Sequence, residues 1–511
     1  MAALPDEIFI AIFQFLSLRD VVNLRQVSHH FGDITKSRDL WNRLLRREIH
    51  AKRKIPVPGL KKDDISALSA RELENCVQRS LKLQRNWTSE SPVTTRTSTV
   101  SVGGVEPAPS MRVISLDFVT VEGLPHLFSA SLRQDVAPRV FIFELWAINP
   151  TNDNDGLHCV ARRESVLGGG YAVNRHKSVM SGTLAIKSAA SIVILGLDPS
   201  KDPEQAFVTL NTIDLSQAKS VLSFTGTTLV IRGLNDEVRI LDTTRPTNRV
   251  ELRHPQPVLP ANQPKVFETV IDDDYILLIQ PTTLELYSLE GLRNGDNVQF
   301  LSPITVHTFQ WRLDSCRVER DIKHAHVSHP SQPPPINILL RFSSLFPWPV
   351  NLLQHYVLHP NRYYTPSIPV SLYNLPYHFP PVLQQTISSP IRLFAVSDVA
   401  LGSYGTGVWI DSHTEDYFLQ GEVGQRLAGH MLSPARDGPP AEGRESSNGS
   451  TSNDPEQPEF SDKSTQSQAS TVYYVQETDD WTRVAVDEAE GRIAVGSASG
   501  RIVLYDYAER I

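Results

Sequence analysis

Apolar side chains recur at helical spacing through the first fifty residues and at strand spacing from about residue 93 onward. Ile8, Ile12, Phe15 and Leu16 stand at i, i+4, i+7 and i+8, one face of an amphipathic helix. Pro5 suits the first helical position, where its missing N–H costs nothing. Ser17 followed by Asp20 resembles a capping box, and Val21, Leu24, Val27 and Phe31 continue behind it at helical spacing. A third start at Ser37 leads into Leu40, Trp41, Leu44 and Leu45. The pattern predicts three short helices over 1–50, too small to make a self-sufficient core. A basic, Pro-containing link (Lys52, Arg53, Lys54, Pro56, Pro58) precedes a helix expected around Ala67–Leu83. Residues 51–90 therefore read as a helical linker that sets the distance between the two ends of the molecule.

Beyond it, short runs of Val, Ile, Leu and Phe alternate with turn residues. Thr227–Arg232 precedes Glu237–Leu241, Tyr275–Ile279 precedes Leu284–Leu289, and Arg492–Gly496 precedes Arg501–Tyr505 across a Ser-Ala-Ser-Gly turn. Several of these hairpins end in Asp: Asp242, Asp411, Asp506. Their irregular recurrence predicts an all-β propeller of six or seven blades over 91–511, in an α+β multidomain chain. The chain ends just after Arg501–Tyr505, so the last blade lacks an outer strand, and Val93–Val102 is expected to supply it and close the ring. Ser433–Ser470 holds no Leu, Ile, Val or Met and carries seven acidic and three basic residues; it is expected to be a disordered insert.

Composition narrows the function classes. The net charge is −8, and the first 54 residues are net +4, leaving the remainder at −12. That balance argues against a nucleic-acid binder. Cys76, Cys159 and Cys316 form no CxxC pair, so neither a zinc site nor a disulfide framework is indicated. There is no signal-peptide pattern and no run of 18 apolar residues, which points to the cytoplasm or nucleus, without membrane attachment. The sequons at Asn86 and Asn448 then read as coincidental. The run Arg46, Arg47, Lys52, Arg53, Lys54 is either a nuclear-localisation signal or a solvated helix end and linker.

Leu4-Pro5-Asp6-Glu7-Ile8, Ile12-Phe13, Leu16-Ser17, Asp20, Leu24, Val27-Ser28, Phe31 and Leu40-Trp41 together resemble the F-box motif, with Phe31 where many members carry Trp. The resemblance covers about a tenth of the chain. It implies a surface for the adaptor of an SCF-type cullin–RING ubiquitin ligase, formed by Leu4, Pro5, Ile8, Ile12, Leu16, Leu24 and Val27. Phe31, Leu40, Trp41 and Leu44 would be the F-box core. Trp481–Tyr507 resembles the last blade of a WD-repeat-like propeller, with Leu504-Tyr505-Asp506 in the place of apolar-Trp-Asp. The expected function is a non-catalytic substrate receptor. Its partners would be the adaptor, through it cullin and RING subunits, and a target protein held by propeller residues the sequence does not identify. The alternative is an F-box scaffold acting outside a ligase.

Signals for chemistry are weak. His324, His326 and His329 form an HxHxxH cluster, but the following prolines favour a solvated loop over a metal site. Gly168-Gly169-Gly170 lacks the spacing and the following helix of a phosphate loop and reads as a turn between blades. No GxSxG or cysteine-nucleophile motif is present, and no cofactor is expected.

Overall fold

A computed structural model describes residues 5–51, 65–104, 110–148, 156–166, 170–175, 182–235, 237–253, 268–290, 299–323, 332–342, 352–390, 396–412, 424–432 and 465–509. The N-terminal unit contains α1 (Asp6–Phe13), α2 (Leu18–Leu24), α3 (His29–Ile34), α4 (Arg38–Leu45) and a π-helical turn, Arg46–Ala51. One more helix forms than the spacing predicted. Val27 and Phe31 are not on the helix of Val21 and Leu24, because Ser28 caps a new start by accepting the Phe31 amide at 3.2 Å. Ser17 caps α2 through the Asp20 amide, also at 3.2 Å. Pro5 sits one residue outside α1, at its N-cap.

The linker helix α5 (Ala70–Trp87) starts at a capping box. Ser69 accepts the Glu72 amide, and the Glu72 carboxylate accepts the Ser69 amide at 2.7 Å. These bonds hold the Glu72 carboxyl below its ordinary range. The two ends of α5 belong to different cores. Leu73 and Val77 pack with Trp41, Leu44 and Leu45. Leu83 and Trp87 pack with Trp481, Ile493, Tyr473 and Tyr507. At about 1.5 Å per residue, α5 spans roughly 27 Å. It is a rigid strut, not a tether.

Seven antiparallel sheets follow: blade 1 (111–166), blade 2 (171–214), blade 3 (218–252), blade 4 (268–308), blade 5 (313–388), blade 6 (399–476) and blade 7 (481–506, with 96–101). One residue from each blade, Asp117, Arg175, Thr225, Thr269, Arg317, Ala400 and Val484, lines a central cavity of about 320 Å³. The first strands of the blades therefore surround one axis, and the fold is a seven-blade propeller. Arg96–Ser101 pairs antiparallel with Arg501–Asp506, from Arg96 opposite Asp506 to Ser101 opposite Arg501. The strand from before the ring thus completes its last blade, removing two open edges.

Two blades carry a fifth, parallel strand: Gln299–Leu301 beside Arg245–Leu252, and Thr465–Ser467 beside Val382–Ser388. The second corrects the reading of Ser433–Ser470 as wholly disordered. Residues 433–464 lie outside the described residues, but 465–467 form a strand and Ala469 packs against the blade 5–blade 6 core. Backbone pairing to a sheet edge needs no apolar side chains, so composition does not reveal it.

In blades 1 to 6 the first-to-second and third-to-fourth connections, and in blade 7 the first-to-second connection, lie at one face. Helix α5 docks on that face at blades 6 and 7. Trp87 Nε1 donates to Thr406 Oγ1 at 3.0 Å, and the Trp87 ring meets those of Tyr473 and Tyr507 at 5.2 and 5.5 Å. Gly491, at φ +66°, makes the approach possible: a Cβ there would lie 2.6 Å from Leu83 Cδ1. The Asn86 amide donates to Val93 O and Tyr507 O and accepts the Val93 amide, so this sequon side chain is fully engaged.

Beneath the strut, Glu488 joins blades 6 and 7. Its buried carboxylate accepts the Tyr404 amide at 2.6 Å and the Thr406 amide at 2.8 Å. Burial outweighs these donors and pushes its carboxyl up to about 7. Folding therefore takes up a proton between the ordinary carboxyl range and pH 7, and stability falls as pH rises through that window. Asp487 and Asp506, pushed up to about 6 by burial, steepen its lower part. Thermal melts at about pH 5 and about pH 7.5 should show the wild-type transition lower at the higher pH. Glu488→Gln should narrow that gap, and an unchanged gap in the variant would contradict the assignment.

Candidate functional site

The N-terminal unit buries one side of each helix and leaves another uncovered. Leu40, Trp41 and Leu44 are fully buried. Trp41 Nε1 donates to Thr35 O at 2.8 Å, and Arg25 lies over its ring, 5.8 Å from the centroid. The Arg25 guanidinium also meets Glu74 of α5 at 2.7 Å, locking α2 to the strut. Phe31 is half-buried and packs edge-on against Phe9 and Phe13 at 5.3 and 5.6 Å. Arg38 holds the approach to α5, donating to the carbonyls of Ile65, Ser66 and Leu68.

On the other side, Ile8 is 45% exposed, Ile12 47% and Phe15 77%. Ile8 and Ile12, four residues apart, share one face of α1, with exposed Pro5 before it and Phe15 in the turn that follows, an apolar row along the chain. Val27, 66% exposed, adds an apolar side chain after α2. Leu4 lies outside the described residues. Leu16 and Leu24, expected on the adaptor surface, are partly exposed. Both are half-buried against the helical core, and the Leu16 carbonyl accepts from Arg47 at 2.8 Å. Phe15, next to Leu16, is the more exposed of the two. Because α1 ends at Phe13, the chain turns, sending Leu16 inward and Phe15 outward. The i+7 spacing of Phe15 from Ile8 was the signal available for it. An uncovered apolar row on a small, already cored unit is the kind of surface that partners cover.

The propeller's axis is charged but internally paired. Glu268 accepts from Arg175 and Arg317, both at 3.0 Å; Arg317 also lies 3.6 Å from Asp398, and Arg175 4.0 Å from Asp117. This network ties blades 1, 2, 4, 5 and 6 together. Sequence reading missed it because its members are single charged residues scattered over nearly 300 positions. Its chemistry is that of a clamp: each arginine faces a carboxylate.

Among the described residues there is no group of three or more His, Cys, Asp or Glu that could hold a metal ion. The His324/His326/His329 cluster, Gly168 and Gly169 lie outside the described residues. Cys76, Cys159 and Cys316 are free thiols, and burial raises all three. Among the described residues, no helix is long and apolar enough to cross a membrane.

Residues 1–47 match the family model described as F-box-like. No curated protein sequence matches the chain. Among solved structures, the chain is similar to one from a humanized mutant of the Chaetomium thermophilum Polycomb Repressive Complex 2 bound to an inhibitor. That match has 9% identity and a TM-score of 0.47, covering 81% of this chain and 97% of that one. It is also similar to a chain in a crystal structure of Chaetomium thermophilum Polycomb Repressive Complex 2, at 8% identity and a TM-score of 0.47, covering 82% and 99%. The chain thus carries an F-box-like domain followed by a seven-blade β-propeller, both of them typically non-catalytic interaction domains.

Proposed function

We propose that this chain is the substrate-recognition subunit of an SCF-type cullin–RING ubiquitin ligase. The F-box-like domain binds the adaptor through Pro5, Ile8, Ile12 and Phe15, together with Leu4, Leu16, Leu24 and Val27, and the propeller holds a target protein. The single observation behind this reading is the pairing of an uncovered apolar row on an F-box-like domain with a rigid strut shared by both cores. A receptor of this kind needs no catalytic residues. It accelerates ubiquitin transfer by holding the target near the conjugating enzyme, and a stiff connection keeps that distance constant. The same reading places the protein in the cytoplasm or nucleus, where the ligase works.

Co-purification tests it. Tagged full-length chain should bring down the adaptor and a cullin together, and should lose both when Ile8 and Ile12 are changed to alanine. Adaptor without cullin would instead identify a scaffold acting outside a ligase.

A further inference from the structure

The third-to-fourth connection of blade 5, residues 359–381, is long, yet it is pinned. Asn374 Nδ2 donates to Ile368 O at 2.7 Å and Thr365 O at 3.0 Å, while its Oδ1 accepts the Thr365 amide at 2.9 Å. Asn361 donates to Leu375 O at 2.8 Å and accepts the Tyr363 amide at 3.0 Å. Tyr377 is fully buried, with its hydroxyl 3.1 Å from that of Tyr275 in blade 4. Against this rigid base, Tyr363 is 88% exposed and Tyr373 99%, with Ile368 and Leu372 exposed beside them. A backbone fixed in advance spares that part of the ordering cost of binding, and tyrosine is a preferred interface anchor.

The neighbouring turn is acidic. Asp272, Asp273 and Asp274 join the first two strands of blade 4, and Tyr364 of the loop donates to Asp274 at 3.5 Å. The Leu289 amide bonds the Asp274 carbonyl at 2.9 Å, bringing exposed Glu290 to the same place. Among the described residues, these four carboxylates stand with Arg320, paired with Asp272 at 2.9 Å, and Arg362 of the loop. The balance among these described residues is negative beside two presented aromatic rings, a setting that favours guanidinium or ammonium groups. Connectivity puts the loop on the face that carries α5, so its occupant lies on the F-box side of the ring.

We infer that this surface docks a lysine- or arginine-bearing segment of another protein, the tyrosines stacking on its cations and the acidic turn pairing with them. This rests on the reading that the propeller holds a target, and names the chemistry of that target. Fluorescence anisotropy with the full chain, without adaptor, separates the two claims. The probes are short peptides of alternating arginine and serine, glutamate and serine, or leucine and serine. The arginine peptide should bind saturably, more weakly as salt rises. Tyr363→Ala with Tyr373→Ala should weaken it about tenfold or more, and Asp273→Asn with Glu290→Gln should weaken it and flatten its salt dependence. These positions are exposed, so circular dichroism should not change. No saturable binding, or equal binding by the tyrosine variant, would overturn the proposal. Preference for the leucine peptide would replace a cationic occupant by an apolar one. Self-association lost in the tyrosine variant would assign the patch to a second copy of the chain. Adaptor capture is unaffected by any of these outcomes.

Discussion

Ile8→Ala combined with Ile12→Ala will abolish adaptor capture at cellular concentrations while leaving the chain folded. Both side chains are about half exposed and contribute little to the helical core, which is built on Phe13, Val21, Leu40, Trp41 and Leu44. Covered by a partner, each aliphatic side chain contributes on the order of 1.5–3 kcal/mol from desolvation. Truncation at an interface centre often costs about 2 kcal/mol, roughly thirtyfold in affinity, and two such changes compound. Phe15→Ala should act in the same direction, since Phe15 is more exposed than Ile8 and Ile12. Trp41→Ala provides the contrast. It removes a fully buried ring and its bond to Thr35, so helical signal should fall along with binding. Circular dichroism and capture on the same proteins separate a lost interface from a lost fold. Normal capture by the Ile8/Ile12 variant would remove the row from the adaptor interface.

Trp87→Ala should give the largest loss of stability with the adaptor surface intact. The side chain is 1% exposed, donates to Thr406 and meets two tyrosine rings at the dock between α5 and blades 6 and 7. Large-to-small changes of a buried tryptophan cost about 3–5 kcal/mol. The first half of α5 stays in the helical core through Leu73 and Val77, so adaptor binding should survive. Hydrogen exchange should show protection lost over the last turns of α5 and around Tyr507, together with a lower thermal transition. In a reconstituted ligase, target modification should fall although the adaptor remains bound, because the strut no longer fixes the distance. An unmoved transition with normal exchange would show that the dock is not what joins the two units.

Much of this organisation is legible in the residues. The cap at Ser17 and the buried Leu40–Trp41 pair follow from local rules, and the helix expected around Ala67–Leu83 forms at Ala70–Trp87, one turn further on at its end. The pairing of Arg96–Ser101 with Arg501–Asp506 follows from edge chemistry, since a ring cannot leave its last blade open. What escaped notice has physical causes. Ser28 interrupts a helical period that Val27 and Phe31 appear in phase with, so two helices read as one. Phe15 and Leu16 are adjacent and equally apolar, and only the end of α1 at Phe13 decides which faces out. The parallel strand Thr465–Ser467 is entirely polar and is held by a partner strand 80 residues earlier in the chain. The axial clamp of Arg175, Glu268 and Arg317 exists only once seven blades bring distant positions to one line. The blade count was ambiguous for a related reason: a long connection such as 359–381 lies inside a blade and obscures the repeat.

The central claim is that the uncovered row on the F-box-like domain is an adaptor surface. Titration calorimetry of purified SCF adaptor into the full chain tests it most directly. Saturable one-to-one binding, lost in the Ile8/Ile12 double variant and retained in Trp87→Ala, is the predicted result. Absence of binding by the unmutated chain would contradict the account.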